Sequence, residues 1–384
     1  MSSGSSGDDP FANLPMFAEV ARALAGQGPL NWDVARQFAA LAAGASGEPN
    51  VDPLARVRLG ELGRIVEMHV ADLTGTDGTF PTITPVTRSA WAQRTLDAYR
   101  PLFTDLATSL SRESGDGAED PMASMMAGLT RMMAPAMMGM AVGSMVGRLS
   151  TRTFGQYDLP IPRSTVEVMI VPANIDEFAT AWDLEVDEMR LWVLSQELTA
   201  HALFSHTSLR EQVLSIVGAY VAGFQPDPSA VAEHLGELQL TDLGDPMAAM
   251  QRLLGDPALL LGAVESAAQR ELGPRLDAAL AAVVGFVDYV VDGVAVRVIG
   301  GDALRVAEAI RRRRVEASPD DVFVERLLGL RLTDQLVQRG KTFIGGVVDR
   351  VGEDRLASLF ASPEPLPTPA EIDAPGLWIA RLEL

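Results

Sequence analysis

The sequence predicts a mainly α-helical protein with at most a small β-sheet, and three observations support this fold class. Apolar residues recur at helical spacing in about ten segments spread along the chain of 384 residues. One short run, Val166–Val171, has the β-branched, apolar character of a strand. No motif returns at a fixed period, so a solenoid built from repeats is not supported.

The N-terminal third is predicted to be helical because apolar side chains fall on one face in successive segments. Asn31 has the side chain of an N-cap and predicts a helix at Trp32–Ala43. Leu54–Leu73 is predicted to be a longer amphipathic helix that ends where glycines gather. A loop is expected to run to Thr87, and a further helix is expected to begin at Ser89.

The rest of the chain contains the predicted strand and a longer series of helices. Asp183–His206 is predicted to form one long helix. The remaining predicted helices are Leu209–Ala222, Ser229–Leu235, Pro246–Leu254, Pro257–Val264, Glu265–Val298, Gly301–Val315, Val322–Leu328, Leu332–Val351 and Glu353–Phe360. A Pro-rich segment, Pro365–Pro369, is expected to be an extended strap packed on the core.

Composition divides the chain into four segments. Residues 1–9 are expected to be a disordered tail, and residues 10–110 an N-terminal helical portion. Residues 111–120, in which Gly, Ser, Glu and Asp dominate, are predicted to be a linker. Residues 121–384 are predicted to form the helical core. The length allows either two units or one large elaborated domain.

The core segment is predicted to begin with a helix rich in methionine and glycine. Pro121–Gly147 holds nine methionines. Glycine recurs at every fourth position of this segment, at Gly139, Gly143 and Gly147. Such a stripe is flat and lets another backbone approach closely. Met132–Gly147 has no charged residue, but its sixteen residues are fewer than the about 20 that a membrane span needs. A buried central helix, in which Met fills irregular gaps, is therefore favoured.

Composition also excludes several functions. Lys and Arg total 31 against 51 Asp and Glu, and the formal charge of −20 repels nucleic acids and anionic membranes. The absence of cysteine excludes disulfides and thiolate zinc sites, and fits a reducing compartment and a high-GC, actinobacterium-like composition. The N-terminus lacks a basic region followed by an apolar run, so no signal peptide is predicted and a cytoplasmic location is expected.

The predicted helix at 183–206 comes closest to a catalytic motif. An HExxH zinc peptidase needs two histidines one helical turn apart to bind the metal, and a glutamate to polarise the metal-bound water. Here Glu197 is present, but Gln196 and Ala200 occupy the two ligand positions. His201 cannot replace the second histidine, since one step along a helix turns a side chain by about 100°. From these residues alone, an ordinary amphipathic helix is the simplest interpretation.

Several further segments are similar to one protein family. They are GQYDLPIPR (155–163), VPANIDEF (171–178), LWVLSQELTAHALFS (191–205), VGFVDYVVDGVAVRV (284–298), RRRRVEASPDDVFVERLLGLRL (311–332) and LPTPAEIDAPGLWIARLE (366–383). In that order they resemble the zincin-like metallopeptidases common in actinobacteria, some of which are linked to deazaflavin coenzyme biosynthesis. DDPFANLPMFAEVARAL near the start shares the likeness. The resemblance therefore covers most of the chain and implies a zincin-like helical fold.

The resemblance also implies where the family's metal ligands would lie. In members with the intact motif the window resembles HELTH, which aligns Gln196 and Ala200 with the zinc histidines and Glu197 with the general base. A later helix in such members resembles EGYVDHVVD, where this chain has VGFVDYVVD. Val284 then stands at the third, carboxylate ligand, and Tyr289 replaces a histidine. An amide is a poor zinc ligand, and Ala and Val are none. The resemblance thus implies a lost catalytic site and no expected cofactor.

Three functions remain open from the sequence. The first is a catalytically inactive metallopeptidase homologue that binds a protein or peptide. The second is a hydrolase with a rearranged zinc site around Glu197 and His201, completed by Asp288 or Asp292. The third is a membrane-associated or assembly protein that uses the glycine stripe. The run at Arg311–Arg314 is interpreted as a helix C-terminus whose charges meet the helix dipole.

Overall fold

Helices dominate the part of the chain that the computed structural model describes, which is residues 28–45, 47–76, 80–111, 121–226, 263–264, 266–315 and 323–383. The helices are α1 Trp32–Ala42, α2 Pro53–Thr74, α3 Arg88–Ala98, α4 Arg100–Ser111, α5 Pro121–Ser150, α6 Pro172–Ala181, α7 Val186–Phe204, α8 Thr207–Ala222, α9 Ala267–Val298, α10 Ala303–Val315, α11 Phe323–Leu327, α12 Asp334–Val351, α13 Glu353–Phe360 and α14 Pro375–Leu382. The strands are β1 Thr82–Pro85, β2 Glu167–Ile170, β3 Gln225–Pro226 and β4 Ala263–Val264. The predicted fold class is confirmed.

Local signals in the sequence explain several helix ends. Asn31 caps α1 as predicted, because its side-chain oxygen accepts hydrogen bonds of 3.1 Å from two backbone N–H groups of the first turn. Ser266 and Gln269 form a capping box at the start of α9. Gly75 ends α2 in the left-handed conformation, with φ +63°. These caps satisfy backbone groups that a helix end leaves without partners.

Proline and backbone geometry account for two differences from the predicted helices. The helix predicted to begin at Ser89 is divided at Tyr99 into α3 and α4. Pro101 lies in the first turn of α4, where its missing backbone N–H leaves no intrahelical hydrogen bond unmade. The long helix predicted from Asp183 begins instead at Val186, because Asp183 adopts a positive φ of 52°.

Sequence analysis missed α6, β1, β3 and α14, of which β1 depends on pairing with a distant strand. β1 lies in the predicted loop and pairs in parallel with β2 along the whole of both strands, from Thr82 opposite Glu167 to Pro85 opposite Ile170. α14 follows the Pro-rich strap, where no helix was predicted. The strap itself packs on the core as predicted, since Trp378 Nε1 donates to the Pro365 carbonyl oxygen at 3.0 Å.

Some predictions fall outside the described residues. These concern the disordered tail at 1–9, the linker from 112 onward, and the helices at 229–235 and 246–254. Of the helix predicted at Pro257–Val264, the described residues Ala263 and Val264 form β4, which pairs antiparallel with β3.

One cluster of buried apolar side chains joins the early and late parts of the chain. It contains Leu59 of α2 and Trp91 of α3 together with Leu194 of α7 and Phe286 of α9. The pairing of β1 with β2 also connects the two parts. The segments predicted as N-terminal portion and helical core therefore pack together, and the boundary between them stays a prediction.

The glycine stripe of α5 lies against the backbone of α1. A Cβ built on Gly143 would lie 2.2 Å from the Ala35 carbonyl oxygen, and one on Gly147 would lie 2.5 Å from that of Ala39. The predicted close approach of another backbone is thus confirmed. Residues 141–150 of α5 are mostly buried, as predicted for a central helix, whereas Met133 near its middle is half exposed.

One helix in the described residues, α9, has the length and composition of a membrane span. The mean hydropathy of its most apolar window is 1.9, and 67% of that window is buried inside the protein. A core helix has the same properties, and burial on this scale is what such a helix requires.

Gly143→Ala is expected to lower the free energy of unfolding by about 1–3 kcal/mol, because α1 must move away from the added methyl group. Urea denaturation followed by circular dichroism measures the change. The matched control is Gly60→Ala in α2, where a Cβ meets no atom within 4 Å. That change is expected to raise stability by roughly 0.5–1 kcal/mol. Equal effects of the two substitutions would contradict the close packing of α1 on α5.

Candidate functional site

A pocket lies between α7, α9 and α10, and its cavity volume is about 110 Å³. We call it the α7–α9 pocket. The apolar part of its lining includes Val287 and Ile310. The polar part consists of Arg152, Asp158, Gln196, Asp288, Arg313 and Glu325. The pocket is therefore a small cavity with an apolar wall and a charged wall.

The three positions that the resemblance aligns with zinc ligands line this pocket together. Gln196 and Ala200 project from α7 one helical turn apart, and Val284 projects from α9. Close packing holds α9 in place, because a Cβ on Gly285 would lie 2.4 Å from the backbone of Gly340 in α12. The structure thus brings the three positions to one cavity, and their role as former ligand positions stays a prediction.

Asp158 forms the centre of the charged wall. Its carboxylate accepts a hydrogen bond of 2.5 Å from the Phe154 N–H and one of 3.4 Å from the Gln196 side-chain amide. A terminal nitrogen of Arg313 lies 3.5 Å from the same carboxylate. The side chain at the first aligned ligand position therefore points toward a carboxylate of the protein itself.

Arg152 and Glu325 form a second charged pair in the pocket. They are joined by a short hydrogen bond between the guanidinium and one carboxylate oxygen. Burial raises the pKa of Glu325, although the neighbouring Arg152 lowers it. The pocket therefore contains two arginines, each beside a carboxyl group. One of these carboxyl groups, that of Glu325, is supplied by α11.

Glu197, predicted to be the remnant of the general base, is fully buried and is not among the residues that line the pocket. Both of its carboxyl oxygens accept from the Tyr157 backbone N–H, at 2.8 and 3.1 Å. Burial raises the pKa of Glu197 well above its usual range, and the nearby charge of Asp158 raises it further. The carboxyl group is therefore enclosed beneath the backbone of residues 155–157.

Gly155 is required for this enclosure. A Cβ on Gly155 would lie 2.3 Å from the carboxyl carbon of Glu197. The Gly155 carbonyl oxygen accepts from Trp91 Nε1 at 2.8 Å and from the Thr153 hydroxyl at 2.9 Å. The loop is thus pinned on one side by α3 and on the other by α7, which fixes both Tyr157 and Asp158.

The alternative ligands are not brought together. Glu197 faces the loop backbone, and His201 Nδ1 shares a hydrogen bond of 3.0 Å with the Tyr157 hydroxyl. Asp288 and Asp292 each lie 3.5 Å from Lys341 Nζ, and of the four acidic and histidine residues only Asp288 lines the pocket. Within the described ranges, no group of three His, Cys, Asp or Glu side chains is placed to hold a metal ion.

The residues at the aligned ligand positions do not fit zinc. Gln196 offers a neutral amide that is already directed at Asp158, and the methyl group of Ala200 and the isopropyl group of Val284 have no donor atom. Structural and catalytic zinc sites in proteins take at least three nitrogen, sulfur or carboxylate ligands. The side chains at these positions therefore lack the donor atoms that zinc, the metal implied by the family name, requires.

Sequence analysis missed Arg313. The arginine run was predicted to be a helix end facing the dipole, and this suits Arg311 and Arg312, which pair with Glu308 on the surface. Arg313 instead turns inward, where it lines the pocket and stacks on Phe154 with its guanidinium 3.7 Å from the ring centroid. The sequence of four consecutive arginines does not indicate which side chain points inward, because that depends on how α10 packs.

Comparison with known proteins decides the family. A model of the family described as zincin-like metallopeptidase matches residues 30–379. The chain belongs to this family. It is also similar to a crystal structure from Chloroflexus aurantiacus, described as a proposed hydrolase with a novel fold, at 20% sequence identity and a TM-score of 0.58. That alignment covers 92% of this zincin-like chain and 99% of the other, and shows a shared fold. No match was found among curated proteins.

The raised pKa of Glu197 gives a pH test. As pH rises above the usual glutamate pKa of about 4.3, the unfolded chain releases this proton while the folded chain still keeps it, so the free energy of unfolding is expected to fall between the two pKa values. Glu197→Gln cannot ionise and is expected to flatten this slope, measured by urea denaturation at each pH. The control Glu308→Gln removes an exposed carboxylate whose pKa is lowered by its arginine partners, and should keep the wild-type slope. If the free energy of unfolding of Glu197→Gln changed with pH as steeply as that of wild type, Glu197 would not be protonated in the folded protein.

Proposed function

We propose that this zincin-like protein is a catalytically inactive metallopeptidase homologue that binds a protein or peptide segment in the α7–α9 pocket. One observation carries the proposal: Gln196, Ala200 and Val284 line the same cavity and offer no ligand set for zinc. A peptidase of this type depends on a metal-bound water. Without ligands for the metal, the cavity could accept a segment of a partner but could not activate that water.

The position of Glu197 supports the same proposal. A general base must lie within hydrogen-bond reach of the proton that it removes. The Glu197 carboxyl group instead accepts hydrogen bonds from the Tyr157 backbone and is fully buried. Its raised pKa favours the protonated form, which cannot accept a further proton. Glu197 is therefore proposed to support the loop at 155–157 and not to act on a substrate.

The dimensions of the cavity favour a peptide side chain as the occupant. At about 110 Å³, it is smaller than the roughly 300–1,000 Å³ of typical small-molecule sites. A second cavity of about 190 Å³ shares Gln196, Asp288 and Ile310 with it and extends to Trp192 and Lys341. Because the two cavities share these residues, an extended segment along α7, α9 and α10 is proposed to place one side chain in the α7–α9 pocket.

Several finer expectations stay proposals. The charge of −20 disfavours nucleic acid and anionic membranes as partners. A cytoplasmic location, an actinobacterial origin and a link to deazaflavin coenzyme biosynthesis rest on the sequence alone. The alternative function is a zinc-dependent hydrolase with a rearranged site, for which the family and the described neighbour in Chloroflexus aurantiacus give the motivation. It requires Glu197, His201 and Asp288 to reach one metal ion.

The triple variant Gln196→His, Ala200→His, Val284→Glu is expected to take up about one zinc ion per chain, because it places three strong ligands on one cavity. Elemental analysis after dialysis against zinc-free buffer measures the metal content. The double variant Gln196→His, Ala200→His is the matched control and is expected to hold zinc more weakly, since two ligands remain. A folded triple variant that takes up no zinc would show that the ligand positions are wrongly aligned.

A further inference from the structure

Arg313, which α10 directs into the α7–α9 pocket, lies against two aromatic rings. Its guanidinium carbon lies 3.7 Å from the ring centroid of Phe154 and 6.0 Å from that of Phe178. The two rings contact each other edge to face, with centroids 5.2 Å apart. A cation held over aromatic faces at these distances is stabilised by the ring quadrupoles. The rings therefore form an apolar support for one flat cationic group.

Two oxygen acceptors also lie beside the Arg313 guanidinium. One terminal nitrogen donates to the backbone carbonyl oxygen of Arg152 and lies 3.5 Å from the Asp158 carboxylate. An aromatic face combined with two oxygen acceptors matches a planar guanidinium better than the compact ammonium of lysine. The contacts of Arg313 thus define the chemistry of a guanidinium site.

The receptor part of this site is fixed without help from α10. Phe154, Asp158 and the Arg152 carbonyl belong to one short loop. The Phe154 carbonyl accepts from the Val171 N–H at 2.8 Å, and the Asp158 carboxylate accepts from the Phe154 N–H. The carbonyl of Gly155 in the same loop is bonded to Trp91. Since none of these bonds involves α10, the loop is expected to keep its shape when Arg313 is removed, and a pre-organised site binds its ligand at lower cost.

α10 itself packs on the core through Val306 and Ile310, whereas its N-terminal connection contains residues of the kind found at hinges. α10 follows a 3₁₀ turn at Gly300–Asp302, in which Gly300 has φ +76°, and a Cβ built on Gly300 or Gly301 would meet no atom within 4 Å. Its ion pair between Arg305 and Asp183 is exposed, and exposed pairs contribute little stability. Hinges are formed by a few residues of this kind at the ends of elements.

We propose that this guanidinium site, which borders the α7–α9 pocket at Arg152 and Asp158, recognises arginine, that Arg313 is its internal occupant, and that the partner is a peptide whose arginine replaces Arg313. This rests on the proposed binding function. The chain's own arginine shows which group the receptor loop accepts. The formal charge of −20 favours a basic partner over an acidic one. While Arg313 occupies the site, the apparent affinity for the partner is reduced by the fraction of molecules that are closed.

The test measures binding of the fluorescein-labelled peptide Gly-Gly-Arg-Gly-Gly by anisotropy, beside matched peptides in which citrulline or lysine replaces arginine. Arg313→Ala is expected to bind the arginine peptide roughly tenfold or more tightly than wild type, because the internal competitor is gone. Arg312→Ala is the matched control, since it removes the adjacent arginine of α10 that pairs with Glu308 on the surface. It is expected to bind like wild type.

Recognition is tested in the same experiment. The citrulline and lysine peptides are expected to bind Arg313→Ala at least roughly tenfold more weakly than the arginine peptide, because the first lacks the charge and the second the planar fork. Adding Asp158→Asn to Arg313→Ala is expected to abolish the preference for arginine. Arg313→Gln serves in place of Arg313→Ala if circular dichroism shows that the alanine variant is unfolded.

The proposal is overturned if Arg313→Ala binds no more tightly than wild type, or binds the citrulline and arginine peptides equally. Zinc content is measured on the same samples to separate this result from the proposed function. A protein without zinc that fails to select arginine would overturn arginine recognition alone. A protein with stoichiometric zinc would overturn the inactive-homologue function, whatever the peptide results.

Discussion

The hydrogen bonds between the Glu197 carboxyl group and the backbone of Tyr157 fix the wall of the α7–α9 pocket. They tie a loop to the centre of α7, and Trp91 holds the opposite side of that loop through Gly155. A buried carboxyl group without such partners would be costly, so the loop and the acid depend on each other. The positions of Phe154 and Asp158 follow from this arrangement. Glu197 therefore supports this loop, and its alignment with the family's general base stays a prediction.

Contacts away from the pocket hold its two main helices in place. Gln196, Ala200 and Val284 project from helices whose other faces are packed in the core. The contact between Gly285 and Gly340 positions α9 through backbone atoms alone. Changing the side chains that line the pocket leaves these contacts unaltered. The close approach of Gly285 and Gly340 therefore places α9 independently of the side chains that line the pocket.

The sequence was most informative where local signals decide the structure. α13 has the predicted limits Glu353–Phe360, and the Asn31 cap was identified from its side chain and the apolar pattern behind it. β1 was missed because a four-residue segment becomes a strand only through its pairing with the distant β2. The inward turn of Arg313 and the full burial of Glu197 were missed for the same reason: each depends on residues more than 30 positions away. The family resemblance supplied the aligned ligand positions, which periodicity alone could not have provided.

We propose that the chain keeps the cavity of a zincin-like metallopeptidase without the ligands that would hold its metal. The most direct test is a titration of the wild-type protein with Zn²⁺ in the presence of a competing chromophoric chelator. We expect the chelator to retain the zinc, so that the protein binds much less than one zinc ion per chain. A single tight site that is lost in the Glu197→Ala variant, while that variant remains folded, would contradict the claim.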